Sequence, residues 1–258
     1  MKLTKIKPDI EKYPSKLQHL LINSETYDSS CSQEAKVIFV KEHNCFIKSS
    51  SKGSLKTEAL LTSFFNNKHL APQVIEYVSE ENDWLVTEKA NGKDCTHYLD
   101  NPEKLCDVFA ESLVMLHNTD KSECPVPCRT NDYLKLVEYN YKHNIYDESL
   151  FPDNWGYVSK DEAWSEIIRN KEFLKNDTLI HGDYCLPNVI LNDFKFSQFI
   201  DLGNAGVGDK HIDIFWGIWT LNFNLKTDKF SDRFFDVYGR NNFNKEILRL
   251  IAACEVFC

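Results

Sequence analysis

The sequence has 258 residues, enough for one large domain or two small ones. Apolar residues make up 42% of it and charged residues 27%, which is ordinary for a globular protein with a full core. This composition excludes a disordered, fibrous or collagen-like chain. The formal net charge of −9 argues against nucleic acid as a partner and mildly favours cationic partners, although simple solubility explains the same charge.

The sequence also indicates a compartment. The N-terminal residues carry charge, but no apolar stretch follows them, so no signal peptide is predicted. No run of about 18 apolar residues occurs that would span a membrane. The nine cysteines are odd in number and scattered, which is typical of free thiols in a reducing cytosol. Zinc at the close pair Cys124 and Cys128 is disfavoured, because a second pair of ligands is missing. We therefore expect a cytoplasmic protein.

The N-terminal part is predicted to be rich in strands. Two short β-type runs, 36–41 and 45–48, are separated by a turn-like gap and indicate a hairpin. Residues 54–65 carry apolar side chains at helical spacing, and the runs 74–78 and 84–87 are again typical of strands. We thus expect a single helix among the strands of this part.

Beyond Gly92 the pattern becomes mainly helical. Asn101 and Pro102 stand where an N-cap and a first-turn proline belong, and Ser159 with Glu162 fits a capping box. A small β-rich lobe, a short linker near 88–94 and a larger helical lobe are therefore predicted. Further helices are expected over 163–174, 213–224, 230–238 and 244–256, and short β runs at 178–180, 188–191 and 197–200.

The most informative stretch runs from His181 to Asn188 and has the spacing H-x-D-x-x-x-x-N, the catalytic-loop spacing of protein kinases. An Asp-Leu-Gly turn beginning at Asp201 follows another β run. Phosphoryl transfer needs a carboxylate that orients the acceptor hydroxyl and accepts its proton, and it needs oxygen ligands for Mg²⁺. Asp183 fits the first role, and Asn188 with Asp201 fits the second. Either glycine turn alone would fit a plain tight loop, but both in this order favour phosphoryl transfer.

These segments, 181–188 and 199–214, resemble the signature blocks of the aminoglycoside phosphotransferase family, and especially of its 3′-phosphotransferase branch, the kanamycin kinases. The resemblance extends over nearly the whole chain, with weaker matches toward the N-terminus. It implies an α+β, bilobal, protein-kinase-like fold. The β-rich N-lobe would span residues 1–90 and bind the nucleotide, and the mainly helical C-lobe would span 91–258 and hold the catalytic loop, metal and acceptor.

The resemblance implies a lysine on the third strand of the N-lobe. Lys48 is the candidate, and Glu58, ten residues on in the first helix, would pair with it and fix it against the α/β-phosphates of ATP or GTP. An exposed lysine at a strand end and a solvated glutamate would be the plainer interpretation if the C-lobe blocks were missing.

A glycine-rich phosphate loop is absent, because no glycine precedes Gly53. In its place is a loop with Ser30 and Ser32, similar to the serine-containing nucleotide loop of the branch, whose hydroxyl and N–H groups would contact phosphate. The segment that contains Thr87 and Lys89 resembles the inter-lobe hinge, where backbone groups would hold adenine.

In this branch, the C-terminal carboxylate and neighbouring acids bind amino groups of the antibiotic. Glu255 matches such an acid, Asp153 matches another, and the terminal carboxylate is on Cys258. Because several acids of the family are missing here, the site should hold a polycation less tightly. The replacing residues are Gly156, Phe223, Asn224 and Cys254, and Asn204 replaces an arginine that is frequent in the family.

The leading hypothesis is an O-phosphotransferase that uses Mg²⁺ and ATP or GTP, acts on the 3′-hydroxyl of aminoglycosides and confers resistance. The alternative is a related kinase for another hydroxylated substrate, such as a sugar, amino alcohol or macrolide. A non-catalytic pseudokinase is less favoured, because the set of lysine, aspartates and asparagine is intact. The expected partner is a cationic small molecule, with no nucleic acid and no membrane, and the protein should be a monomer or weak dimer.

Overall fold

The structure is a computed structural model that describes residues 3–31, 35–147 and 157–258. The chain divides into two compact units. The first contains Met1–Asp94 together with Pro187–Gly203, and the second contains Cys95–Leu186 and Asn204–Cys258. The functional division into lobes of residues 1–90 and 91–258 stays a prediction.

The first unit is built on an antiparallel sheet with the strand order β1-β2-β3-β4-β6-β5. A smaller sheet has the order β10-β9-β7. The strands of the large sheet are β1 (Thr4–Ile6), β2 (Thr26–Asp28), β3 (Lys36–Val40), β4 (Cys45–Ser51), β5 (Val74–Ser79) and β6 (Asn82–Glu88). Those of the small sheet are β7 (Lys93–Asp94), β9 (Val189–Asn192) and β10 (Lys195–Phe199).

The predicted hairpin of β3 and β4 is confirmed, with Val40 paired to Cys45. Asn44 has a φ of 48°, a left-handed conformation that asparagine tolerates well, and its N–H donates to the Lys41 carbonyl. The tight turn sets the register of the sheet, so that Ile38 and Ile47 are paired and share its buried face.

Two helices pack on this unit. The predicted helix α2 (Lys56–Asn67) is confirmed, but α1 (Ser15–Leu21) was not expected, so the prediction of a single helix is wrong. A helix of seven residues is too short for a clear periodic signal and depends on packing for its stability. Here that packing comes from Leu17 and Leu21, which are buried against Ile47 and other side chains of the large sheet.

The second unit is mainly helical, with one small antiparallel sheet. Its helices are α3 (Pro102–His117), α4 (Arg129–Lys142), α5 (Lys160–Asn170), α6 (Lys210–Leu225), α7 (Ser231–Tyr238) and α8 (Lys245–Glu255). Its strands are β8 (Thr178–Ile180) and β11 (Gly206–Gly208), paired so that Ile180 lies opposite Gly206. α3 packs on α6 and α7, while α8 packs on α4, α5 and α6. α4 was not predicted from the sequence.

The helix ends only partly follow the predicted caps. Ser159 caps α5, since its hydroxyl accepts a 3.2 Å hydrogen bond from the Glu162 N–H, and the Glu162 carboxylate accepts from the Val158 N–H. Asn101 occupies the N-cap position of α3, but its side chain makes no capping hydrogen bond. Pro102 in the first turn, with φ already set for a helix, is therefore the stronger signal for this start. No helix in the described ranges has the length and apolar character needed to cross a membrane.

Candidate functional site

The large sheet of the first unit determines where Lys48 points. Lys48 is paired with Leu85 on β6, so the two side chains share one face of the sheet, opposite to Ile47 and Val86. Leu85 packs against Leu55 and Ala59, at the start of α2. Ile47 and Val86 belong to a different cluster, which contains the buried leucines of α1. Lys48 therefore faces α2, where Glu58 lies in the first turn.

Lys48 forms ion pairs with two carboxylates. Its Nζ lies 2.9 Å and 2.8 Å from the two Glu58 carboxylate oxygens and 2.6 Å from Oδ1 of Asp201. The predicted pair of Lys48 and Glu58 is thus present, and Asp201 is a third member that the sequence analysis did not connect to it. Burial opposes the charge of Lys48, but the attraction of Asp201 and Glu58 prevails and raises its pKa. Burial raises the pKa of Glu58 against the effect of Lys48.

The two candidate metal ligands, Asn188 and Asp201, lie at the two ends of the β9–β10 hairpin. The Ile200 N–H donates a 3.0 Å hydrogen bond to the Asn188 carbonyl, which holds these ends together. Asn188 is buried, whereas the Asp201 side chain is 52% exposed. Asp201 has a φ of 61°, a strained left-handed conformation of the kind that concentrates at functional sites. The described residues contain no cluster of three or more His, Cys, Asp or Glu side chains that would hold a metal ion.

In the second unit, the loop that carries Asp183 is fixed by a buried carboxylate. Asp213 on α6 accepts 2.8 Å hydrogen bonds from the N–H groups of His181 and Gly182. Gly182 has a φ of 79°, and a Cβ there would lie 1.9 Å from the Asn204 carbonyl oxygen, so only glycine fits. The Asp183 N–H donates to Nδ1 of His181 at 3.3 Å. These hydrogen bonds fix the backbone of the turn, and Asp183 itself is half-exposed.

Asp213 is held in turn by a network that sequence reasoning missed. Nε2 of His117 lies 3.1 Å from Oδ2 of Asp213, and Nδ1 of the same ring lies 2.8 Å from the Tyr238 hydroxyl. These residues come from α3, α6 and α7, so three helices fix the loop that carries Asp183. Only the long-range packing brings them together, and no local pattern marks His117 as a partner of Asp213.

The residues that follow Asp183 anchor the loop further. The Tyr184 hydroxyl donates a 2.6 Å hydrogen bond to the Phe109 carbonyl, and the two rings stack with centroids 4.5 Å apart. Burial, followed by the negative charge of Asp183, raises the pKa of Cys185 far above its usual range, so this cysteine stays a neutral thiol.

Glu255, the candidate acid for the acceptor, is buried at the end of α8. The Tyr133 hydroxyl donates a 2.7 Å hydrogen bond to Oε1 of Glu255. Burial raises the pKa of Glu255 to about 7, and the negative charge of Asp183 acts in the same direction. Glu255 is thus within electrostatic reach of the candidate catalytic base.

The last residues are tied to α4. The Asn140 amide donates a 2.6 Å hydrogen bond to the Phe257 carbonyl, and the Cys258 N–H donates to the Glu255 carbonyl at 3.3 Å. Cys258 itself is exposed. Asp153, the other acid assigned to the acceptor, lies outside the described residues.

Of the two candidate serines in the nucleotide loop, the structure describes Ser30. The Ser30 hydroxyl accepts a 3.0 Å hydrogen bond from the Val37 N–H, and its own N–H donates to Asp28 at 2.8 Å, which lowers the pKa of that carboxyl. Ser30 is exposed but already serves to close the loop onto β3. Ser32 lies outside the described residues.

The segment assigned to the hinge is held within the first unit by its backbone. The Glu88 N–H donates to the Gln73 carbonyl, and the Lys89 N–H donates to the Asn44 carbonyl, each at 2.9 Å. Thr87 is half-buried near the end of β6, and Lys89 is exposed. The backbone N–H groups of Glu88 and Lys89 therefore already donate hydrogen bonds to other residues of the protein.

Comparison with known proteins supports the sequence resemblance. Residues 45–251 match the model of the phosphotransferase enzyme family. The chain is 44% identical over 99% of its length, and 98% of the relative's, to a probable aminoglycoside 3′-phosphotransferase of Lactococcus lactis. It is 26% identical to an aminoglycoside 3′-phosphotransferase of Niallia circulans, with 79% of each chain covered.

Solved structures show the same fold. An aminoglycoside 3′-phosphotransferase of type VIII superposes with a TM-score of 0.73 at 20% identity, covering 96% of each chain. An aminoglycoside phosphotransferase of Streptomyces rimosus gives a TM-score of 0.74 at 17% identity, covering 91% of this chain and 92% of the other. The latter has also been solved in complex with ADP and streptomycin. These neighbours confirm the predicted α+β, kinase-like fold. The chain therefore belongs to the phosphotransferase enzyme family and is an aminoglycoside 3′-phosphotransferase-like kinase.

Proposed function

We propose that this protein transfers the γ-phosphoryl group of ATP or GTP to the 3′-hydroxyl of aminoglycosides and thereby confers resistance in the cytoplasm. The observation that carries the proposal is the ion-paired Lys48 on the first unit, together with an Asp183 loop fixed by buried hydrogen bonds on the second. The near full-length similarity to a probable aminoglycoside 3′-phosphotransferase supports the choice of acceptor.

Lys48 binds the α/β-phosphates of the nucleotide in this proposal. Glu58 is buried and accepts from Lys48 through both oxygens, so it holds the ammonium group in place when phosphate is bound. The side chain of the other partner, Asp201, is about half exposed, whereas that of Glu58 is buried. Ser30 and Ser32 shape the phosphate loop, and the chain around Thr87 and Lys89 borders the adenine.

Asn188 and Asp201 would hold Mg²⁺. An amide oxygen and a carboxylate, kept together by the hairpin hydrogen bond between Ile200 and Asn188, are hard donors of the type this ion prefers. Two protein ligands suffice, because Mg²⁺ in kinases takes its remaining ligands from phosphate and water. When bound, the ion neutralises negative charge that develops on the phosphate oxygens.

Asp183 orients the acceptor hydroxyl and accepts its proton. The hydroxyl oxygen forms a bond to the γ-phosphorus, the bond between that phosphorus and the β-bridging oxygen breaks, and the nucleoside diphosphate leaves. The two backbone hydrogen bonds from His181 and Gly182 to Asp213 hold the loop that carries Asp183. Positioning of this kind provides most of the catalysis in phosphoryl transfer.

The acceptor's ammonium groups bind acidic residues of the second lobe. The electrostatic effect of Asp183 on Glu255 supports this role for Glu255, and Asp153 and the end of the chain at Cys258 are proposed to contribute further negative charge. Since Glu255 is the acid that the structure describes in detail, it is the first position to probe.

The proposal is tested by nucleoside diphosphate release across a panel of acceptors. Aminoglycosides with a free 3′-hydroxyl should release ADP or GDP, and those that lack it should bind without turnover at that position. ³¹P NMR of the product identifies the phosphorylated carbon. If simple sugars or amino alcohols are turned over and no aminoglycoside is, the alternative small-molecule kinase is correct and the aminoglycoside proposal is wrong.

A further inference from the structure

Asp83 on β6 is a buried carboxylate that the mechanism described above does not use. Its Oδ1 accepts a 2.6 Å hydrogen bond from the Ser79 hydroxyl. Its Oδ2 accepts a 2.9 Å hydrogen bond from the Tyr77 hydroxyl and a 3.0 Å hydrogen bond from the Leu55 N–H. Burial disfavours the charged carboxylate, but the hydrogen bonds prevail and lower the pKa of Asp83. Asp83 is therefore ionised at neutral pH.

The hydrogen bond from Leu55 lies at the start of α2. The first N–H groups of a helix have no partner within the helix, and the side chain of the residue before it often accepts from one of them. That residue is Leu55 here, which makes no such hydrogen bond, and the acid in the first turn, Glu58, is bound to Lys48 instead. Asp83 thus supplies, from a neighbouring strand, the negative charge that a helix N-terminus attracts.

The sheet places Asp83 on the same face as Lys48. Asp83 and Leu85 lie two residues apart on β6, so their side chains share one face of the sheet. Leu85 is paired with Lys48 on β4, and Asp83 is paired with Ser50, two residues further along the same strand. Leu85 also packs against Leu55. The face that carries Lys48 therefore holds the start of α2 at two points, through apolar packing at Leu85 and through a hydrogen bond at Asp83.

These contacts set the position of Glu58. Glu58 follows Leu55 by three residues, which is less than one turn of the helix. The place where the Leu55 N–H is held therefore determines how far Glu58 lies from Lys48. Both carboxylate oxygens of Glu58 are within 2.9 Å of the Lys48 ammonium group. A displaced first turn would lose this contact through two oxygens.

We propose that Asp83 is a positioning residue for phosphoryl transfer, which holds the start of α2 on the sheet so that Glu58 keeps Lys48 directed at the α/β-phosphates. This inference rests on the proposed function and deepens it. Asp83 acts through Glu58 and does not itself bind the nucleotide. A change at Asp83 should therefore weaken the binding of the phosphoryl donor and leave the binding of the acceptor as it is.

The test is Asp83→Asn in the full-length protein. Asp83 accepts hydrogen bonds at both of its oxygens, whereas an asparagine has one oxygen and an NH₂ group that can only donate. One of the three present donors would thus lose its acceptor. KM for ATP or GTP should rise by about two- to tenfold, the range that corresponds to the loss of one hydrogen bond. KM for the aminoglycoside should stay at the wild-type value.

Asp209→Asn is the matched control for loss of stability. Asp209 is also a buried aspartate at the start of a helix, where it accepts from the N–H groups of His211 and Lys175, but it lies in the second unit. It should lower the melting temperature as Asp83→Asn does, and it should leave KM for the nucleotide unchanged. An equal rise of this KM in both variants would assign the effect to stability alone and overturn the positioning role.

A double-mutant cycle shows whether Asp83 acts through Glu58. Glu58→Gln should raise KM for the nucleotide, and the addition of Asp83→Asn should raise it no further, because the group that Asp83 positions is already lost. If the two effects multiply, the proposal is wrong. If Asp83→Asn does not fold, the same cycle is run with Tyr77→Phe, which keeps the carboxylate and removes one donor to it. A wild-type KM for the nucleotide in Tyr77→Phe would then overturn the proposal.

Calorimetric titration with Mg²⁺-ATP and Mg²⁺-GTP separates this inference from the proposed function. If aminoglycosides are turned over and Asp83→Asn binds nucleotide as wild type does, the proposed function stands and the positioning role is wrong. If no aminoglycoside is turned over but a nucleotide binds, the proposed acceptor is wrong. The positioning role is then supported if Asp83→Asn weakens this binding and Asp209→Asn does not, and it is overturned otherwise. Absence of nucleotide binding by the wild-type protein would overturn both.

Discussion

The Tyr133 hydroxyl lies 2.7 Å from Oε1 of Glu255 and joins the middle of the second lobe's α4 to the end of α8. This hydrogen bond stabilises the charged form of Glu255, whereas burial disfavours it. The balance leaves the pKa of Glu255 at about 7, so the charge that would bind the acceptor changes near neutral pH.

The first prediction follows from this contact. Above its pKa, Glu255 is charged and should bind ammonium groups, so KM for the acceptor should fall as the pH rises through about 7. Tyr133→Phe removes a hydrogen bond that lowers the pKa, so the same fall should occur at a higher pH. The measurement is the pH profile of KM for an aminoglycoside in the variant and in wild type.

Tyr141→Phe provides the matched control on the same helix. The Tyr141 hydroxyl lies 3.3 Å from the exposed Asp161, and it does not contact Glu255. Its pH profile should coincide with that of wild type. An unshifted profile for Tyr133→Phe would show that Glu255 does not control acceptor binding.

The second prediction concerns the proposed base. Asp183→Asn should reduce turnover by about 10²- to 10⁴-fold, because the amide cannot accept the proton of the acceptor hydroxyl. Thermal stability should change little, since Asp183 is half-exposed. Steady-state ADP or GDP release and a melting curve measure the two effects.

Asp193→Asn is a suitable control for this substitution, because Asp193 is an exposed residue in the turn between β9 and β10. It should retain wild-type turnover. Substantial activity in Asp183→Asn with the best acceptor would contradict the assignment of the base.

The third prediction separates the metal from the nucleotide. Asp201→Ala should weaken the binding of Mg²⁺-nucleotide far more than the binding of nucleotide in EDTA, because it removes one of two proposed metal ligands. Calorimetric titration with and without Mg²⁺ gives both affinities. If Asp201→Ala weakened nucleotide binding equally with Mg²⁺ and in EDTA, Asp201 would act only through its ion pair with Lys48 and not as a metal ligand.

The fourth prediction uses two glycines with similar backbone conformations. Gly182 and Gly53 have φ values of 79° and 87°, but a Cβ at Gly182 meets the Asn204 carbonyl oxygen while a Cβ at Gly53 meets nothing within 4 Å. Gly53→Ala should cost about 1 to 2 kcal/mol of unfolding free energy from the left-handed conformation alone. Gly182→Ala should cost more and should also displace Asp183 and reduce turnover. Denaturant unfolding and steady-state turnover measure the two effects. Equal unfolding free energies and equal turnover in the two variants would contradict the special role of Gly182.

The sequence predicted the parts of the site that depend on local spacing. Lys48 and Glu58 lie ten residues apart, on a strand and the next helix. The family resemblance implied this pair, and the alternation of side chains on β4 turns Lys48 toward α2. The Asp183 loop was recognised from its own spacing. In both cases the residues are close in the chain, so a sequence motif, or a family resemblance based on motifs, can include them.

Contacts between distant segments were not predictable in this way. Asp201 meets Lys48 from 153 residues away, and Tyr133 meets Glu255 from 122 residues away. α4, which carries Tyr133, was missed altogether, because most of its side chains are polar or only partly buried and the few that it buries, such as Val137, leave no clear apolar stripe. Only tertiary packing identifies these partners.

The composition of the first compact unit has a consequence for biosynthesis. The last strand of its large sheet in chain order is β6. The strands β9 and β10 of its small sheet belong to Pro187–Gly203, which follows most of the second unit in the sequence. During synthesis on the ribosome, β7 therefore cannot pair with β9 until residues 187–203 have emerged. Lys48 cannot form its ion pair with Asp201 before then either. Such long-range closure slows folding. With Asn188 and Asp201 as the proposed metal ligands, bound Mg²⁺-nucleotide should stabilise this unit only after both residues have joined it. An N-terminal fragment ending at Asp94 should consequently gain no thermal stability from Mg²⁺-nucleotide, whereas the full chain should.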